Sequence, residues 1–150
     1  MHVNQFTVAG LSVRTINLDE FNEKTARLPG LWDQFVSTGV AEKITNRTPD
    51  SPIFGVYSDY ESDADGHYTV TAGVKIEKNA EMLAFSTVTI PSGDYLVFEG
   101  KGMMPQVIIE LWQKIWAYFT PEGKYQRTYN TDFEVHDNTA NFYIYIGVAS

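Results

Sequence analysis

Cysteine is absent from this chain of 150 residues, which excludes disulfide scaffolds, zinc ribbons and cysteine nucleophiles and leaves no sign of an oxidising compartment. Basic residues are scarce: 11 Lys and Arg stand against 19 Asp and Glu, for a formal net charge of -8. Without clustered Lys and Arg the chain lacks the footprint of a phosphate-backbone binder, so direct nucleic-acid binding is not expected and cationic partners are favoured. No apolar run is long enough to span a bilayer, and the N-terminus has neither the basic segment nor the sustained apolar run of a signal peptide. No membrane association and a cytoplasmic location are the expectations. A Gly-x-Ser-x-Gly elbow, a P-loop and a dinucleotide fingerprint are all missing. No two histidines have ligand spacing, and the acidic run Asp59, Glu61, Asp63, Asp65 lacks the terminal glutamate of an EF-hand loop. Neither a catalytic residue, a metal nor a cofactor is therefore assigned.

What is present in excess is aromatic: 14% of the residues are Phe, Trp or Tyr, and aromatics beyond the needs of a small core often line pockets. The length fits a single domain, 1–150, large enough to fold without staples. Its most informative stretch runs from Thr131 to Val148. Phe133 and Val135 alternate with Asp132, Glu134 and His136, then Phe142, Ile144, Ile146 and Val148 alternate with Tyr143 and Tyr145 across an Asp-Asn-Thr turn signal. Setting the apolar faces on one side centres the loop on Asn138 and Thr139 and puts Glu134 beside Tyr143. A carboxylate bordered by Tyr143, Tyr145 and His136 could hold a cation against ring faces; an ordinary solvated strand face is the plain alternative.

Earlier in the chain, Gln5 to Thr15 reads as a strand. Leu28, Leu31, Trp32, Phe35 and Val36 follow helical spacing, with Pro29 in the first turn and Gly39 as the stop. Ile53 to Tyr60 and Tyr68 to Glu77 read as strands around an acidic turn, and Met82 to Ile90 and Asp94 to Glu99 as two more. A helix from about Met104 to Phe119 carries Val107, Ile108, Leu111, Trp112, Ile115, Trp116 and Phe119, an apolar face wide enough to touch the sheet and something beside it. The halves match in order: Leu31-Trp32 with Leu111-Trp112, Asp59-Tyr60-Glu61 with Asp132-Phe133-Glu134, and Tyr68, Val70, Gly73, Val74 with Phe142, Ile144, Gly147, Val148. The expected class is α+β: a pseudo-twofold duplication of a strand-helix-strand-strand unit, about 5–77 and 82–148. The expected sheet is antiparallel-rich, with helices packed on one face and a groove between the halves.

Leu31-Trp32-Asp33-Gln34-Phe35, Phe54-Gly55-Val56-Tyr57, Asp59-Tyr60-Glu61-Ser62-Asp63, the strand Tyr68 to Val74, Gly93-Asp94-Tyr95, the Trp112 helix and Thr131 to Val135 together carry a likeness. The chain resembles the effector-binding domain of the GyrI-like superfamily, the module attached to DNA-binding domains in many AraC-type and MerR-type regulators. Similar free-standing domains occur as mobile-element or integron-cassette products associated with drug binding. The resemblance implies that Glu134 is the counter-ion of a hydrophobic cation, that Tyr143 or Tyr145 is the strand tyrosine, and that Tyr57, Trp32, Trp112 and Trp116 supply walls. Many members end in a Glu-Ile-Tyr-Ile-Pro strand; here Tyr143 replaces that acid and Gly147 the proline, so a second terminal carboxylate is missing.

Three functions follow. The first is a stand-alone module for amphipathic organic cations, with Glu134, Tyr143, Tyr145, Trp112, Trp116, Tyr57, Trp32 and His136 as ligand-binding residues. No helix-turn-helix can be fitted, so a transcriptional role would need a separate regulator; a homodimer partner is the other protein contact to expect. The second is a small hydrolase of strained electrophiles, as some free-standing members are, using Glu134 and a pocket tyrosine. The third is an acidic interaction or inhibitor module.

Overall fold

The computed structural model describes residues 1–20, 22, 24–44, 47–49, 51–62, 66–77, 85–103, 106–119, 126–137 and 141–149. Its strands are β1 (His2–Val3), β2 (Phe6–Ile16), β3 (Ile53–Ser58), β4 (His67–Ile76), β5 (Ser86–Ile90), β6 (Gly93–Lys101), β7 (Arg127–His136) and β8 (Asn141–Val148). Its helices are α1 (Asn17–Glu20), α2 (Leu28–Ser37), α3 (Val40–Lys43) and α4 (Gln106–Phe119). The expectations placed on Asn138, Thr139, Met104, Asp63, Asp65 and 82–84 lie outside the described residues.

The strands form one sheet in the order β1-β6-β8-β7-β3-β4-β2-β5, antiparallel throughout. From β6 to β2 the order sets β6-β8-β7 beside β3-β4-β2, with β7 and β3 as neighbours. The expected overlay of Asp59-Tyr60-Glu61 on Asp132-Phe133-Glu134 does not follow the element boundaries. Asp132–Glu134 lies inside β7, whereas β3 stops at Ser58 and Asp59 turns the chain with φ 51°.

Alternation along each strand divides the core between the two faces. On one, α2 delivers Leu31 and Phe35 to a cluster with Tyr57, Tyr68, Val70 and Ala72. On the same face α4 sets Val107, Leu111 and Ile115, four apart, over Phe142, Ile144 and Ile146. The close seat of α4 needs Gly100 of β6, where a Cβ would stand 2.8 Å from the Leu111 side chain. Of the helix stripe read from sequence, Val36 is the exception: it turns to solvent at 74% exposure. Gly39 does end α2, with φ 64°, a left-handed conformation that glycine adopts without a Cβ clash.

The other face is also buried, because the sheet curls into an open half-barrel. In a flat sheet β6 and β2 would stand five strand spacings apart, about 24 Å. Here Tyr95 of β6 and Phe6 of β2 both pack on Phe133 of β7, at 5.4 and 5.5 Å between ring centres, joined by Val8, Phe54, Val56 and Ile90.

That second core corrects the expected register of the closing hairpin. Glu134 pairs with Ile144, His136 with Phe142, Phe133 with Tyr145 and Val135 with Tyr143, one residue from the alignment that put Glu134 beside Tyr143. With both faces covered, the apolar halves of β7 and β8 need not share a side. The β8 isoleucines go under α4 while Phe133 and Val135 go into the curl, and the β7 acids are carried under the helices.

Candidate ligand-binding site

Glu134 reaches the helix side of β7 beneath α2 and α4 and is 2% exposed. A buried carboxylate is tolerable only where donors replace its water, and three do. Tyr57 Oη–H donates to Oε2 at 2.6 Å, Trp112 Nε1–H donates to the same oxygen at 2.8 Å, and His136 Nε2 lies 2.9 Å from Oε1. The Tyr57 hydroxyl is held well above the ordinary tyrosine value by burial first and then by the Glu134 charge that it bonds, so it stays a donor at any physiological pH. His136 is in turn stacked on Trp32, 5.0 Å between ring centres and 24° between planes, with its flank against Phe142.

Room for this assembly comes from Gly55, which pairs with Glu134 across β3 and β7. A Cβ there would come within 3.0 Å of the Trp32 ring and 3.1 Å of Glu134 Oε1. The carboxylate and the indole occupy the space a side chain would fill.

In front of Glu134 lies a cavity of about 530 Å³, within the range of small-molecule sites. The wide face of α4 divides as helical spacing requires: Val107, Leu111 and Ile115 face the sheet, while Ile108, Trp112 and Trp116, successive turns of the next stripe, line the cavity. Leu28, Pro29 and Trp32 of α2 close the opposite side, and Tyr57, Tyr60 and Tyr68 form the floor. The rings are mutually braced, Tyr57 standing 5.0 Å from Trp112 and 5.7 Å from Tyr68, and Trp112 6.3 Å from Trp116.

Glu134, Tyr57, Trp32, Trp112 and Trp116 thus come together as the sequence suggested, and His136 joins them behind the carboxylate rather than on the cavity wall. Tyr143 and Tyr145 do not. They sit on the opposite face, Tyr145 stacked on Phe133 with 4.5 Å between ring centres and 10° between planes and Tyr143 opposite Val135, because of the one-residue register difference.

Several contributors escaped sequence reasoning. Tyr60 and Arg127 line the cavity and both donate to Asp132 Oδ2, at 2.5 and 2.8 Å, while Asp132 Oδ1 accepts the Gly147 N–H at 2.9 Å. Burial, then the Asp132 charge, raises the Tyr60 hydroxyl well above its ordinary value. Arg127 begins β7, before an irregularity in its pairing with β8, and strand alternation gave it no signal. Tyr60 lies beyond the end of β3, where periodicity says nothing. Among the described residues no cluster of His, Asp or Glu could hold a metal.

A family model described as the integron-associated effector-binding protein, Cass2, matches residues 1–148. The chain belongs to the Cass2 family of integron-associated effector-binding proteins. It is 30% identical over 141 residues to YobU of Bacillus subtilis (strain 168), a candidate transcriptional regulator, covering 93% of this chain and 86% of the relative. The integron cassette protein VCH_CASS2, from the mobile metagenome of Vibrio cholerae, superposes with a TM-score of 0.87 at 36% identity, covering 99% of this chain and 94% of that one. SAV2435, solved bound to tetraphenylphosphonium, superposes with a TM-score of 0.79 at 17% identity, covering 100% of this chain and 92% of that one. Among the described residues no helix is long and apolar enough to cross a membrane.

Proposed function

We propose that this Cass2 family member binds hydrophobic organic cations, with Glu134 as counter-ion and Trp32, Tyr57, Trp112 and Trp116 as the aromatic enclosure. One observation carries the reading. Glu134 is 2% exposed, opens onto an aromatic cavity, and among the described residues has no Lys or Arg in ion-pair range, its one ionic partner being a histidine. A buried negative charge without a permanent positive partner is energetically incomplete, and an organic cation among ring faces would supply the missing charge while gaining from the ring quadrupoles. That SAV2435 holds tetraphenylphosphonium supports a cationic ligand at the level of the shared fold.

The hydrolase alternative finds less support. Tyr57 and Trp112 fill both acceptor positions of Glu134 Oε2 and His136 holds one of the two on Oε1, leaving a single acceptor position for a proton from a substrate or water.

Titration with tetraphenylphosphonium, followed by tryptophan emission, tests the reading through Glu134→Gln, which keeps size and hydrogen bonding and deletes the charge. Affinity should fall by roughly 1.5 to 3 kcal/mol, about one to two decades in Kd, with little change in stability. An unchanged Kd would remove the counter-ion role. In a hydrolase the same variant would keep substrate binding and lose turnover.

A further inference from the structure

The cavity that holds Glu134 has a second carboxylate in its wall. Glu20, at the end of α1, lines the same space from the side of α2. It accepts the Thr15 hydroxyl at 2.5 Å and the backbone N–H groups of Arg27 and Leu28 at 2.9 and 3.1 Å, so it is held in place across the start of α2. Those donors fix its position without cancelling its charge, and among the described residues no ion pair to Glu20 is formed. The remaining charge in the wall, Arg127, is already answered by Asp132 at 2.8 Å, with 6% and 0% of the two side chains exposed. The cavity therefore carries two uncancelled fixed acids, with Tyr68 between them. Tyr68 donates to Asn17 at 2.6 Å beside Glu20, and its ring lies 5.7 Å from that of Tyr57, which bonds Glu134. Burial first, and then the charges of Glu20 and Glu134, raise the Tyr68 hydroxyl, both carboxylates being within electrostatic reach of one ring.

We propose that the preferred ligands of this cavity are amphipathic dications, one positive end meeting Glu134 and the other Glu20, with the apolar middle lying along Tyr68, Trp112 and Leu28. The proposal rests on the counter-ion reading of Glu134 and extends it from charge to valence. A monocation leaves Glu20 to water at the mouth; a dication of suitable span satisfies both acids within an apolar enclosure where screening is weak. The two acids differ in exposure, so the Glu134 contact should dominate and the Glu20 contact should select.

The test compares an aromatic bis-amidine on a short alkyl linker with the mono-amidine of identical scaffold, by tryptophan quenching. On the wild-type protein the bis-amidine should bind about tenfold tighter, clear of the twofold statistical advantage of having two ends. Glu20→Gln, which retains an oxygen acceptor for the start of α2, should abolish that preference, weakening the bis-amidine about tenfold and the mono-amidine clearly less. Equal binding of the two probes to the wild-type protein overturns the proposal without any variant. So does a Glu20→Gln variant that weakens both probes alike, the mark of a purely structural cap. The two readings fail separately: Glu134→Gln should weaken the mono-amidine as well as the bis-amidine, and only failure of that arm counts against the counter-ion itself.

Discussion

Asp132 and Glu134 stand two residues apart on one face of one strand, both essentially buried, yet their surroundings differ. Asp132 has a permanent cation, Arg127, at 2.8 Å, together with the Tyr60 hydroxyl and the Gly147 N–H. Glu134 has a phenol, an indole and an imidazole. Every carboxylate oxygen of the two has a hydrogen-bond partner, so satisfaction of polar atoms does not separate them. What separates them is charge: Asp132 is answered by a guanidinium, whereas Glu134, with no Lys or Arg in ion-pair range among the described residues, faces a cavity of about 530 Å³. Burial of an acid therefore marks a site only where the balancing cation is left for something else to bring.

If that contrast holds, the largest effect of substitution should be on stability at Asp132. Asp132→Asn leaves the Arg127 charge buried without its partner, Nε of that arginine having no acceptor among the described residues, and should cost roughly 3–5 kcal/mol of unfolding free energy. Urea unfolding would measure it, and a cost near zero would mean that the pair is not the neutral structural unit described. Tetraphenylphosphonium affinity in the folded fraction should fall as well, since Arg127 lines the cavity and its charge would no longer be balanced.

Alkali acts on both acids through their tyrosines. Tyr57 and Tyr60 are raised well above the ordinary value, by burial first and then by Glu134 and Asp132 respectively, and burial ahead of Asp132 pushes Tyr95 up to about 12. A raised folded-state value means that the stabilisation is complete below pH 10.0, the ordinary tyrosine value, and is lost as pH rises from there toward and beyond 12. Unfolding free energy measured between pH 9 and 12 should be level at first and then decline; a decline beginning well below 10 would contradict the burial of these hydroxyls.

A smaller loss is expected from Gly55→Ala. The new methyl would press on Trp32 and on Glu134 Oε1 at 3.0 and 3.1 Å, costing about 1–3 kcal/mol of stability and weakening cation binding while leaving Asp132 untouched. Unchanged stability and binding together would show that the carboxylate is not held against Gly55 as described. The smallest effect belongs to Glu61→Gln. That carboxylate is 61% exposed and 3.8 Å from His67, so water and salt screen it, and both unfolding and tetraphenylphosphonium titration should match the parent.

How much of this was legible in the sequence follows from what periodicity can carry. The α2 and α4 stripes and most strands were readable, because burying one face imposes a repeat. So was Glu134, singled out because it stands in the polar alternation of the closing hairpin beside aromatic residues and because the family likeness pointed to the same residue. The hairpin register was not, since alternation fixes it only when one face is wet, and the curl that buries Phe133, Tyr95 and Phe6 together is a long-range property of the whole sheet. That single slip placed Tyr143 and Tyr145 on the wrong side. Tyr60, Arg127 and Glu20 contribute from strand ends and a one-turn helix, where no repeat exists to find them. Gly55 was quoted for family likeness alone; its use as empty space is visible only with Trp32 and Glu134 in place.

The most direct test of the central claim uses two ions of nearly the same shape and opposite charge. Tetraphenylphosphonium and tetraphenylborate present the same four phenyl rings, so apolar burial and ring contacts should contribute alike to both, and any difference in Kd reports the field of the cavity. With no Lys or Arg paired to Glu134 among the described residues, calorimetric titration should detect the phosphonium and not the borate, and Glu134→Gln should narrow the gap from the phosphonium side. Equal affinity for the two ions, or a preference for the borate, would contradict it.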